Sequence, residues 1–70
     1  MKILSQKRGA IIESEGFYIC EEFTRYAIKD SKTHLTLGEY VVRERVCRIF
    51  DEMTREFVNP SKACYYMPQE

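Results

Sequence analysis

LGEYVVRERVCRIFDEMTREFV, residues 37–58, holds the one clear amphipathic helix, predicted over 41–58. Val42, Val46, Ile49, Phe50, Met53 and Phe57 recur at the spacing of a single helix face, within an arc of about 100°, the width of a core-facing stripe. Glu44, Arg48, Asp51 and Arg55 take the opposite face. Glu44 to Arg48 and Asp51 to Arg55 place the acid one turn ahead of the base, the better orientation for a helical ion pair. Asn59 suits a left-handed C-terminal residue, and Pro60 cannot continue the helix. The start lacks such a signal. Val41 and Val42 stand where Ser, Thr, Asp or Asn would cap, which costs about 1 kcal/mol.

Everything before this helix reads as sheet. Residues 2–5 (KILS) and 10–14 (AIIES) are strand candidates around a turn at Gln6-Lys7-Arg8-Gly9, where Gly9 can supply a positive φ. Gly16 permits a second turn. Residues 17–22 (FYICEE) and 24–29 (TRYAIK) are rich in aromatic and β-branched residues with alternating faces. Asp30-Ser31-Lys32-Thr33 is turn chemistry, since Asp and Ser bond back to the main chain. Residues 34–40 (HLTLGEY) open on the return strand of the best hairpin in the chain, and Ala63 to Met67 reads as a short edge strand or a tail.

A sheet with one apolar face needs a cover, and the helix stripe needs a floor. The predicted fold is therefore α+β: an antiparallel meander of about five strands under one C-terminal helix, in a single domain divided into 1–40, 41–58 and 59–70. Its predicted core is Ile3, Ile12, Phe17, Ile19, Tyr26, Ile28, Leu35, Leu37 and the helix stripe. Ile11 and Ile12 compete for one inward position, because a one-residue slip exchanges faces.

Composition narrows the chemistry. Eleven basic residues balance eleven acidic ones over 70 residues, so general nucleic-acid binding has no electrostatic footprint. No apolar run approaches a membrane span, and MKIL followed by Ser5, Gln6, Lys7 and Arg8 is no signal-peptide core. Three cysteines, at positions 20, 47 and 64, form neither a close pair nor a zinc-ribbon spacing. Reduced thiols and a cytoplasmic setting follow. Cys20 and His34 share a predicted face without a third, orienting group, and Gly-rich phosphate loops and catalytic carboxylate pairs are absent. The expectation is a non-enzymatic protein with no cofactor and no metal.

Two groups of residues invite a binding role. Arg43, Arg45 and Arg48, with Tyr40 before them, gather at an uncapped helix start, where a small anion or nucleotide could bind. Tyr18, Tyr65, Tyr66 and Met67 are interface candidates, because interfaces favour Tyr and a domain this small gains stability from association.

Several short stretches also resemble a group of small uncharacterised proteins from low-GC Gram-positive bacteria, their phages and mobile elements. They are Ile3-Leu4-Ser5-Gln6, Leu37-Gly38-Glu39-Tyr40, Glu44-Arg45, Ile49-Phe50-Asp51-Glu52 and Tyr66-Met67-Pro68. The chain departs from that group at Val42, where members often carry a Ser or Thr cap. The resemblance implies a sheet-then-helix fold, cytoplasmic life and phage or mobile-element origin, with no established activity. The leading expectation is an interaction module, self-associating or bound to a host protein. The alternatives are an oligomer that sequesters an anionic or nucleotide signal, and a structural accessory protein.

Overall fold

The computed structural model describes residues 1–69. The order is β1 (Lys2–Leu4), β2 (Ile11–Glu13), β3 (Phe17–Glu21), β4 (Tyr26–Asp30), β5 (Thr36–Tyr40), α1 (Arg43–Val58) and β6 (Tyr65–Tyr66). The fold is α+β, with one helix over strands. The strands do not form one continuous meander. They make two small sheets, ordered β2-β1-β6 and β3-β4-β5. The tail joins the first sheet: β6 pairs parallel with β1, Ile3 opposite Tyr65 and Leu4 opposite Tyr66, and so occupies the second edge of β1. The chain then crosses between sheets through Ser14 to Gly16.

The helix lies across one face of β3-β4-β5. Val46, Ile49 and Met53 point down onto Ile28, Leu37 and Tyr40, joined by Ile3 and Tyr65 from the other sheet and Met67 from the tail. Ile12 turns toward this core and Ile11 outward, which settles their competition. Phe17 receives the edges of Phe50 and Phe57, with centroids 5.4 and 5.9 Å away.

Four predicted core residues are partly or largely exposed. Val42 precedes the helix in extended backbone (φ −96°, ψ 126°), so the helical period does not apply to it. Leu35 precedes β5, beside His34, whose φ of 63° puts it in the left-handed region. A register irregularity follows, since Ile28 pairs with Gly38 but Lys29 with Thr36. Ile19 sits on the edge strand, 36% exposed. Phe57 packs on Phe17 at that same edge and is partly exposed.

Two turn expectations are also corrected. Arg8, with φ 59°, takes the left-handed position expected of Gly9. Asn59 is not left-handed (φ −137°, ψ 77°), because the residue before proline is driven toward extended backbone. Its N–H still closes on the Arg55 carbonyl at 2.9 Å. Ser61 then ties the chain to Glu56 through its N–H and its hydroxyl, at 3.2 and 2.7 Å.

Polar groups fasten the two sheets together. Asp30 is buried at the end of β4, and Ser14 is buried at the crossing. The Ser14 hydroxyl donates to Asp30 Oδ1 at 2.6 Å. Asp30 Oδ2 accepts from the N–H groups of Lys32 and Thr33 and from the Thr33 hydroxyl, the back-bonded turn its sequence suggests. Gly16 approaches Ser31 so closely that a Cβ there would fall 2.6 Å from the Ser31 hydroxyl oxygen.

Candidate functional site

The arginines at the helix start diverge. Arg43 lines a shallow cleft with Ile19, Glu21, Tyr26, Val46 and Cys47, on the side of α1 that faces β3. Arg45 lies more than half a turn round the helix, half-buried, with its charge acting on the Tyr65 phenol. Arg48 is exposed. The N-cap has no side-chain hydrogen bond, in keeping with Val42.

Tyr40 is not presented to a ligand. It is 1% exposed, and its hydroxyl donates to the Pro68 carbonyl at 2.7 Å. Tyr65 and Met67 are likewise internal, each no more than 3% exposed. The Tyr65 hydroxyl donates to the Glu52 carboxylate. Burial, the hydrogen bond and the charge of Glu52 together push that phenol well above its ordinary pKa. Of the tail residues expected at an interface, Tyr66 remains at the surface, with the Arg8 guanidinium 5.7 Å from its ring centre. Tyr18 is half-buried on the face of β3 turned away from the helix, its hydroxyl 2.9 Å from His34 Nδ1.

Cys20, Cys47 and Cys64 are free thiols. Among the described residues no group of three or more His, Cys, Asp and Glu side chains could hold a metal ion. No helix among them is long and apolar enough to cross a membrane.

The surface offers apolar area instead. Phe23, at the tip of the β3–β4 turn, is fully exposed, and Val41 and Val42 are more than half exposed. Tyr26 and Tyr40 are directly opposite in the β4–β5 ladder. The Phe23 turn and the Val41-Val42 step therefore leave the sheet at the same end. Sequence reading missed Phe23, which falls between two strand assignments. An aromatic residue in a turn, with no partner in either alternating pattern, was the available signal.

No protein-family model, curated protein or solved structure matches the chain.

Proposed function

We propose that this protein is a non-enzymatic interaction module that self-associates and engages a protein partner through the apolar end formed by Phe23, Val41 and Val42. The exposure of these three side chains at one end of the sheet carries the reading. Water-exposed aromatic and aliphatic groups in one place are a common mark of a contact surface. With the resemblance to phage and mobile-element proteins, the partner would be a host protein and the role an accessory one. Sequestration of a small anion at the helix start has less support, because Arg43 and Arg45 project to different sides of the helix.

The test is affinity capture from a bacterial host lysate with the wild-type chain and with Phe23→Asp. The reading expects a protein held by the wild type and lost from the variant, with thermal stability unchanged by the substitution. Equal capture by both, or a thermal shift with nucleotides that Arg43→Glu removes, would count against it.

A further inference from the structure

From the open edge of β3 we infer the self-association surface: a second copy of this chain adds its own β3, antiparallel, about a two-fold axis at Ile19. The inference deepens the self-association half of the reading above and rests on it.

The backbone supplies the first observation. Among the described residues, strand β3 pairs only with β4. The Glu22 N–H donates to the Arg25 carbonyl, and the Gly16 carbonyl accepts from the Ser31 N–H. These bonds fix which residues of β3 spend their main-chain groups on β4: the even-numbered ones. Phe17, Ile19 and Glu21 then aim N–H and C=O outward, because bonded and non-bonded pairs alternate in an antiparallel ladder. A row of unpaired groups of this kind is a template for another strand, and natural edges are commonly blunted by Lys, Pro or a bulge. Phe17–Glu21 (FYICE) contains neither Lys nor Pro. Its ladder with β4 is unbroken from Phe17 to Glu21. The outer edge of β5 is treated differently: Gln6 bonds to the main chain of Leu37 and Glu39 and closes it.

Charge selects the register. Centred on Ile19, the pairing sets Ile19 against Ile19 of the second copy and Phe17 against its Glu21. Each is a pair of outward-facing residues that exchanges two hydrogen bonds. The full length of β3 is used, and no like charges oppose. A centre at Tyr18 would set Glu15 against Glu21, and a centre at Glu21 would set that carboxylate against itself, both unfavourable cross-strand pairs. A centre at Cys20 would pair Phe17 with the turn residue Phe23 and leave the strand incompletely matched.

Side chains complete the fit. The axis stands perpendicular to the sheet, so both helices lie on the same face of the joined sheet. The side of α1 over β3 carries Phe50 and Phe57, both packed on Phe17. The partly exposed Ile19 and Phe57 lie along this border. The second copy would cover both.

Light scattering on the full chain at about 100 μM tests the inference. The wild type is expected to have the mass of a dimer. Ile19→Lys and Ile19→Glu should each be folded by far-UV circular dichroism and monomeric, with dissociation constants raised on the order of 100-fold by like charges at the axis. An equimolar mixture of the two should return the dimer mass, because the charges then oppose as a pair. A monomeric wild type would overturn both this inference and the self-association reading. A dimer that persists in Ile19→Lys, or a mixture of folded variants that stays monomeric, would overturn the β3 edge alone.

Discussion

The side-chain amide of Gln6 brackets the main chain of Glu39. Its Nε2 donates to the Glu39 carbonyl at 3.0 Å, and its Oε1 accepts the Glu39 N–H at 2.8 Å. The Gln6 main-chain N–H adds a bond to the Leu37 carbonyl at 2.8 Å. One residue thus stands in for a neighbouring strand along β5 and binds the β1–β2 hairpin to the second sheet. Gln6 and Gln69 also exchange side-chain-to-carbonyl bonds, at 2.7 and 2.8 Å, which brings the tail into the same junction. Gln6→Leu removes the bracket and leaves two main-chain groups of Glu39 without it. A loss of about 2 kcal/mol is expected in urea unfolding, reflecting unmade bonds to partly buried groups. Gln6→Glu should also destabilise, since a carboxylate can accept the Glu39 N–H but cannot donate to its carbonyl.

Asp30 makes stability depend on acid. The Ser14 hydroxyl and then the Thr33 N–H lead the contacts that lower its pKa to about 2 from an ordinary 3.8. A depressed folded-state value means that the unfolded chain takes up the proton first. The contribution is therefore whole above about pH 4 and fades as the pH falls toward 2. Its size is on the order of 2 kcal/mol, by the free-energy equivalent of the shift. Urea unfolding from pH 5 to pH 2 should show this loss in the wild type. Asp30→Asn should be less stable at pH 7 and have a flatter acid limb, because the amide has no charge to strengthen these bonds and only one oxygen to accept where the carboxylate uses two.

Gly38 makes room for the tail. A Cβ at that position would lie 2.7 Å from the Tyr40 hydroxyl oxygen and 3.0 Å from Met67 Cε. Both neighbours are fully buried, so neither has open space to move into. Gly38→Ala should cost about 1–3 kcal/mol in thermal or urea unfolding, the usual range for overpacking. Tyr40→Phe keeps the ring and removes the bond to Pro68. It should cost about 1 kcal/mol, the net worth of one hydrogen bond, plus any penalty for the abandoned carbonyl.

Val42 is a cap position occupied by the wrong residue for capping. Its extended backbone already suits an N-cap, and its side chain is largely in water. Val42→Asp should raise stability by about 1 kcal/mol through a side-chain bond to a main-chain N–H of the first turn. The same substitution should weaken capture of a protein partner, because it puts a charge in the proposed contact surface. A gain in melting temperature without any loss of capture would remove Val42 from that surface.

The local parts of the fold are legible in the residues. The stripe of Val46, Ile49 and Met53 announces the helix and its buried face, and the alternation in FYICEE and TRYAIK announces β3 and β4. Long-range placements are not legible in the same way. Tyr40 reads as a surface residue beside arginines, yet it turns inward because Gly38 has no Cβ and Pro68 offers a carbonyl far along the chain. Gln6 reads as a turn residue, and its service as a substitute strand depends on Glu39 arriving beside it. Tyr65 and Tyr66 return to β1 in a parallel pairing that no periodicity encodes. At the candidate site, exposure of Phe23 follows from turn geometry, whereas separation of the arginines follows from the helical angle between positions 43 and 45 and was open to calculation.

Amide exchange along β3 as a function of protein concentration is the most direct test of association through the open edge. The Cys20 N–H faces β4 and should be protected at every concentration. The outward N–H groups of Ile19 and Glu21 should exchange freely in dilute protein and become protected as the concentration rises through the micromolar range. Fast exchange at Ile19 and Glu21 at all concentrations, with Cys20 protected throughout, would contradict the account.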